Sequence, residues 1–452
     1  PDSLAYQEWT DIASIGDGYQ TGPAPRVLYP VNGEFNDWAY GDTLAKPRVF
    51  SWTPEVGNHN DGFYPPASRI VPLARENLRR CYVVAAIAGA YVRVERALVT
   101  EGTLDVGALS HLSIRARNLG LASAGPNLAA TLVSLDPGAQ VFGPAIAYPD
   151  LAPRSSGDAI GSATFAVATA DTLTPGRRLR FEVDFTADGG FFSRDTIEVP
   201  AGRPTLVASD NAGTGLGAWS ALGWSLSGGD AIHPAPYFTD SPFGSYGSSS
   251  NNTLTLFAPL ALNAGVHAYA SFPARWDLGT GYDAALIEGS LDGLNWTPLA
   301  GRGTSAGIPG SQPAGVPLYQ GTRERWADER VDLSPLAGPT SNAVRLRFRL
   351  TSDFGGNFDG FSFDSLRVEL YDPETQLLPV AVAGDTPLEF LLEAVRPNPA
   401  TATARFWFTI PRAGSVRLEV LDLAGRRVRV LADGVLPPDR YVRSWDLRDD
   451  QG

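Results

Sequence analysis

At residue 91 the apolar side chains of this chain stop recurring at helical spacing and begin to alternate. That change fixes most of what the chain can fold into. Before it, residues 72–90 carry Leu78, Cys81, Ala85 and Ala88 at intervals of three and four. This is one face of an amphipathic helix, with Pro72 near its start and Gly89 near its end. After it, YVRVERALV (91–99), LSIRARN (112–118) and LRFEVDF (179–185) alternate apolar and polar, as strands with one buried face do. AATLVSL (129–135) and DTIEV (195–199) complete a strand set for an Ig-like sandwich. With 48 Gly and 36 Pro among 452 residues, the remainder suits further β-sandwich modules joined by turns.

The length allows three or four domains. A net charge of −13 argues against nucleic acid, which needs a basic face. No run of about 18 apolar residues exists, so no transmembrane segment is expected. The single cysteine, Cys81, rules out an internal disulfide framework but not secretion. Its place in the helical pattern predicts a buried packing residue. The chain has no methionine, and it closes on WDLRDDQG (445–452) at a turn signal, so both ends read as cut.

The first 92 residues carry the chemistry. Residues 3–15 place Leu4, Trp9, Ile12 and Ile15 on a helix that Gly16-Asp17-Gly18 ends. RVFSWT (48–53) reads as a short aromatic strand, and Pro65-Pro66 is a breaker. Tyr29 precedes Trp38 of a DWAYG segment by nine positions; Thr53-Pro54-Glu55 follows the aromatic strand; Gly62-Phe63-Tyr64-Pro65-Pro66 precedes the long helix. A glutamate at the end of a buried strand, among Phe50, Trp52 and Phe63, would be held rigidly and partly desolvated, as a catalytic base requires.

Taken in order, these four elements resemble the last third of a zinc carboxypeptidase catalytic domain, nearest the bacterial carboxypeptidase T branch. The resemblance implies that Glu55 is the general base at a zinc-bound water and then the proton donor to the leaving amine. It implies that Tyr29 closes over the substrate near its C-terminus. The loop of residues 32–36 would shape the specificity pocket, with Glu34 drawing Lys or Arg by charge pairing, Asn36 leaving specificity mixed, and Phe63 beside it. Peptide or protein substrates are the implied partners.

In the family the zinc is held by an H-x-x-E pair and a later histidine, all preceding the region that this chain resembles. The histidines here, His59, His111, His233 and His267, are scattered, and none has a glutamate three positions later. The ligands are therefore expected upstream, and the chain alone is expected to bind no catalytic zinc and to be inactive.

Residues 93–202 form the Ig-like sandwich; NLGLASAGPNLAATLVSLDP (118–137) resembles CARDB-type adhesion-like modules. Residues 203–372 form a larger β region. It contains YASFPARWDLGTGYDAALIEGSLDGLNWTPLAG (269–301), AVRLRFRLTSD (343–353) and DGFSFDSLRVEL (359–370). These resemble jelly-roll modules behind bacterial secreted metallopeptidases of the immune-inhibitor type. Val344, Leu346, Phe348 and Leu350 should face the core, and Arg345, Arg347 and Arg349 the solvent. Such a module could bind cell-surface glycans through exposed aromatics. It could also hold a structural Ca²⁺ with Asp283, Asp353, Asp359 and Asp364. A linker (373–387) leads to residues 388–452. There PNP (397–399), LDLAGRRV (421–428) and WDLRDDQG resemble the C-terminal Ig-like modules related to the flagellar hook-capping fold, used as sorting tails in type IX secretion.

The combined reading is a multidomain chain: a truncated α/β carboxypeptidase domain followed by all-β sandwich modules (Ig-like, jelly roll, Ig-like). The expected protein is a secreted or cell-surface bacterial zinc carboxypeptidase that removes C-terminal amino acids. The competing reading is a non-enzymatic surface, adhesion or carbohydrate-binding protein with a relic peptidase segment.

Overall fold

The computed structural model describes residues 2–449 apart from 15–18, 20, 28, 32, 58–60, 231–232, 264–265, 339–340, 342, 374–389, 393–394, 396–399, 401–403, 413, 423 and 437–438. The chain divides into two compact units, Pro1–Asp372 and Pro373–Gly452. Within the first, a helical segment precedes two β-sandwiches. None of the described helices is long and apolar enough to cross a membrane.

The helical segment contains α1 (Asp2–Ser14), α2 (Ala24–Val27), α3 (Phe35–Gly41) and α4 (Ala67–Ala88). Its core is small: Ala5 and Trp9 of α1 meet Val83 and Ile87 of α4, with Phe50 and Trp52 against them. The Trp9 and Phe50 rings meet edge to face at 5.0 Å, as do Tyr6 and Trp52. Two expectations are corrected here. Residues 48–53 are extended but join no sheet. Their rings turn onto α1, and their backbone is held by Val49 N–H on the Ala39 carbonyl at 2.9 Å and by Ser51 N–H on the Tyr6 hydroxyl at 3.1 Å. A strand needs a neighbour to pair with, and a helix lies there instead.

The second correction concerns the long helix. It starts at Ala67, five residues before Pro72, and it docks through Leu73, Arg80, Val83 and Ile87. Leu78, Cys81, Ala85 and Ala88 lie on the opposite, exposed face. The helix is apolar on both sides, so periodicity alone could not choose between them. Trp9 and the Tyr19 ring, which lies 3.9 Å from the Arg80 guanidinium, make the choice.

The first sandwich packs two antiparallel sheets. One runs Val92–Val99, Leu109–Asn118, Phe165–Thr169, Ala139–Phe142, with Ser156–Asp158 paired to Leu109–Asn118. The other runs Ile146–Ala147, Ala129–Ser134, Arg178–Ala187, Phe191–Pro200. Alternation brings Leu112, Ile114 and Ala116 from one sheet against Phe181, Val183 and Phe185 from the other.

Asn118, fully buried, joins helix to sandwich. Its Oδ1 accepts the Tyr91 and Gly120 N–H groups at 3.1 and 2.9 Å, and its Nδ2 donates to the Ala122 and Leu151 carbonyls at 2.8 and 2.9 Å. Beside it the Leu121 N–H reaches the Ile87 and Gly89 carbonyls, each at 2.9 Å, satisfying acceptors that the end of α4 would otherwise leave open. Gly120 is obligatory, because a Cβ there would overlap the Gly89 carbonyl. Trp9 Nε1–H donates to the Leu119 carbonyl at 2.7 Å. Glu8 gathers Arg117 at 3.2 Å, Arg154, and Arg325 of the second sandwich at 3.5 Å. Burial would raise the Glu8 carboxyl, but these arginines outweigh it and hold it below the usual range.

The second sandwich has a seven-stranded sheet. Its order is Thr205–Asp210, Leu366–Tyr371, His267–Leu278, Gly360–Phe363, Tyr237–Thr239, Ser225–Ser227, with Gly321–Asp332 also paired to His267–Leu278. Facing it is a sheet of Trp219–Leu222, Asn251–Leu256, Arg345–Thr351, Ala284–Ser290 and Thr297–Pro298. As the alternation requires, Val344, Leu346, Phe348 and Leu350 are buried, and Phe348 stacks on Phe363 at 3.9 Å. Arg345 is exposed, while Arg347 and Arg349 are half-buried on the outer face, where both reach Glu288. The tryptophans Trp219, Trp224 and Trp276 are core.

In the second unit, Ala404–Ile410 pairs with Asp439–Trp445 and Leu391–Leu392, and Gly414–Leu421 pairs with Arg427–Leu436. Phe408, Ile410 and Tyr441 form its core. The LDLAGRR turn is closed by Asp422, whose carboxylate accepts the Ala424 and Arg426 N–H groups at 2.9 Å.

Two predictions follow from buried polar groups. Asn118→Ala strands four backbone groups and is expected to cost about 2–4 kcal/mol in urea unfolding; a loss below 0.5 kcal/mol, the range of surface substitutions, would contradict the role given to it. Asp240 is 3% exposed; its Oδ1 accepts the Phe361 N–H at 2.8 Å and its Oδ2 has no partner among the described residues. Gly360 (φ 76°) lets the chain pass over it where a Cβ would collide. Burial, only partly offset by the Phe361 hydrogen bond, pushes this carboxyl up to about 7. The folded pKa lies above the unfolded value of about 3.9, so the fold favours the protonated form. Stability from this group is full below pH ~4 and is lost as pH rises toward 7. Asp240→Asn should therefore match the parent near pH 4 and melt several degrees higher at pH 8; equal melting curves at pH 8 would refute this.

Candidate functional site

The start of α3 places the loop residues. Glu34 is its N-cap, and the Asp37 carboxylate accepts the Gly33 and Glu34 N–H groups at 3.0 and 3.2 Å. Glu34 is half-buried at this cap. Two residues on, Asn36 Nδ2 donates to Thr53 Oγ1 at 2.7 Å, while its buried Oδ1 accepts nothing among the described residues. The residues around 34–36 thus stand beside Thr53-Pro54-Glu55, seventeen positions away in sequence for the bonded pair.

Glu55 itself is exposed. The sequence expectation of a partly desolvated glutamate among Phe50, Trp52 and Phe63 is not met. Phe50 and Trp52 face α1, and Phe63 is 95% exposed. Tyr29 is 64% exposed, on the chain that leads from α2 toward α3. The structure therefore joins Asn36 to Thr53, two residues before the exposed Glu55, and leaves Tyr29 and Phe63 as rings in solvent.

The loop after Glu55 is anchored by residues that sequence reasoning missed. The Gly57 N–H donates to the Tyr19 hydroxyl at 2.8 Å. Arg69 of α4 grips the buried Asp61 carboxylate with two hydrogen bonds at 2.5 and 2.9 Å. The available signal was an acid eight positions before an arginine across a proline pair, too common a pattern to single out.

The same segment presents a large apolar surface. Ile70, Val71, Leu78, Tyr82 and Val84 of α4 are exposed, as are Phe35 and Trp38 of α3. Surfaces of this kind mark places where another partner or segment packs.

Among the described residues, no group of three or more His, Cys, Asp or Glu is placed to hold a metal ion. His59 lies outside the described residues. His111 pairs with Glu101 at 2.6 Å, and His233 with Asp364 at 3.0 Å. The residues described do not fit a catalytic zinc. Of the aspartates considered for Ca²⁺, Asp283 takes the Asp353 N–H at 2.9 Å, whereas Asp364 is engaged with His233.

The family model for zinc carboxypeptidase matches residues 3–80. No curated protein matches the chain. Among solved structures, the cleaved adhesin domain K1 of Lys-gingipain from Porphyromonas gingivalis W83 is 15% identical, with 36% of this chain and 97% of that chain covered and a TM-score of 0.23. The CBM22-1 xylan-binding domain of Paenibacillus barcinonensis Xyn10C is 12% identical, with coverage of 37% and 96% and a TM-score of 0.24. The secreted serine protease VesC of Vibrio cholerae is 12% identical, with coverage of 66% and 54% and a TM-score of 0.18.

Asp61→Ala should release Arg69 and loosen the loop that follows Glu55, at a cost of about 1.5–3 kcal/mol. Amide exchange at Val56 and Gly57 should speed up with it. Unchanged exchange at both would show that Asp61 does not hold this loop.

Proposed function

We propose that residues 1–92 are the closing part of a zinc carboxypeptidase site and that the protein removes C-terminal amino acids from peptides. The observation that carries this is the pairing of the family match with the surface around Glu55. The one segment that matches a zinc carboxypeptidase contains an exposed carboxylate at Glu55, two exposed aromatic rings at Tyr29 and Phe63, and apolar side chains of α3 and α4 that nothing described covers.

On this reading the zinc ligands lie outside the described residues. The metal, when bound there, would supply the electrophilic and water-activating chemistry. The chain's own groups act as follows. Glu55 takes a proton from the attacking water and delivers it to the leaving amine, which needs a carboxylate on a fixed loop with one open side. Tyr29 swings over the substrate and donates its hydroxyl hydrogen near the scissile end. Glu34 and Asn36 meet the terminal side chain, with Phe63 on the apolar side; one carboxylate and one amide favour basic and polar termini without excluding apolar ones. Packing against the exposed faces of α3 and α4 would desolvate Glu55, which the described residues alone leave in water. Secretion to the cell surface fits the β-sandwich modules behind the peptidase segment, with residues 388–452 as the sorting tail.

The test uses the protein as its cell makes it, with zinc added, on peptides ending in Arg, Lys, Phe and Leu. Release of the terminal residue is expected. Glu55→Gln should lower kcat by about 10²–10⁴-fold with little change in KM. Tyr29→Phe should act more weakly. Hydrolysis that survives Glu55→Gln would remove Glu55 from the chemistry, and no hydrolysis of any peptide would favour the non-enzymatic surface protein.

A further inference from the structure

The loops that close one end of the second sandwich are fastened to one buried carboxylate. Asp283 is 1% exposed. Its Oδ2 accepts the Tyr246 hydroxyl at 2.6 Å and the Gly279 N–H at 3.2 Å, and its Oδ1 accepts the Asp353 N–H at 2.9 Å. The Asp283 carbonyl accepts Gln312 Nε2–H at 2.8 Å. The loop that carries Gly279 and Asp283 thereby holds three others, those of Tyr246, Gln312 and Asp353. Such a rim keeps its shape without a ligand, which removes most of the ordering cost of binding one.

On this rigid rim large rings stand in water. Phe243 is 100% exposed and Phe354 is 88% exposed, while Tyr282 is 45% exposed. Tyr282, Ser311, Gln312, Pro313 and Asp353 line a cleft of about 210 Å³, with Phe354 next in sequence to Asp353. That volume is under the ~300 Å³ at which drug-sized pockets begin, so the cleft takes one small ring rather than an extended group. Its wall combines an aromatic ring and a proline with a carboxylate.

We propose that this rim binds a neutral saccharide. One pyranose ring sits in the cleft with its C–H face on Tyr282 and its hydroxyls toward Asp353, and the neighbouring sugar lies against Phe354. An aromatic face beside a carboxylate acceptor suits a molecule that is apolar on its ring faces and polar around its edge. Asp353 at the cleft and Asp283 behind it repel anionic sugars, in a protein already at −13.

Affinity electrophoresis of the whole protein through gels containing mixed-linkage β-glucan, xylan or galactomannan tests the site, with polygalacturonate as the anionic control. At least one neutral polymer should retard the protein. Tyr282→Ala and Phe354→Ala should each weaken that retardation at least tenfold, and Phe257→Ala, another exposed ring, should not. All three side chains are largely exposed, so the melting temperatures should stay near that of the parent. Retardation by none of the neutral polymers would overturn the proposal. So would retardation by polygalacturonate alone, or retardation that both cleft variants retain.

Discussion

The first unit depends on how the end of one helix is tied to the start of a β-sandwich. A helix that stops inside a protein leaves carbonyls without partners. Here Leu121 supplies the missing donor, Asn118 satisfies the backbone on both sides of the joint, and Gly120 leaves room for the two chains to touch. Trp9 then locks α1 over the joint through the Leu119 carbonyl. Glu8, in the midst of Arg117, Arg154 and Arg325, links the helical segment to both sandwiches. The helical segment is too small to hold itself: among the described residues its core cluster has four buried members, so the sandwich is what keeps its loops in place.

That arrangement leaves one face of the segment fastened and the other open. The fastened face consumes Trp9, Phe50, Trp52, Val83 and Ile87. Left exposed are α4's second apolar stripe, the rings of α3, and Glu55. A catalytic carboxylate on an open face is weakly placed by itself, since water screens it and nothing orients a substrate. The proposed peptidase function therefore requires that the open face be covered, and the apolar character of that face is what makes covering favourable.

Much of this was legible from residues. The alternation at Leu112–Ile114–Ala116 and at Leu346–Phe348–Leu350 gave the buried faces directly, because a strand's period of two leaves only one choice once one face is core. The glycan-binding expectation for the second sandwich relied on exposed aromatics, but Trp219, Trp224 and Trp276 are core. Other features could not be read. Cys81 was placed on the wrong side of α4, because a helix apolar on both sides carries no signal of which side meets a neighbour. RVFSWT alternates like a strand, but whether a partner strand exists depends on residues elsewhere. The pairs Asn36–Thr53 and Asp61–Arg69, and the Asp283 anchor, join positions whose spacing has no period at all.

The central claim is that the open face of α4 is an internal surface of a larger peptidase domain. Cys81, exposed on that face and the sole cysteine of the sequence, reports on it directly. Its labelling rate with a small maleimide should be followed by peptide mass mapping in two samples: residues 1–452 alone, and the protein as its cell makes it. If the face is covered, Cys81 reacts at once in the first sample and in the second only after unfolding. Equally fast reaction in both would mean that α4 faces solvent in the working protein, and the peptidase reading would fall with it.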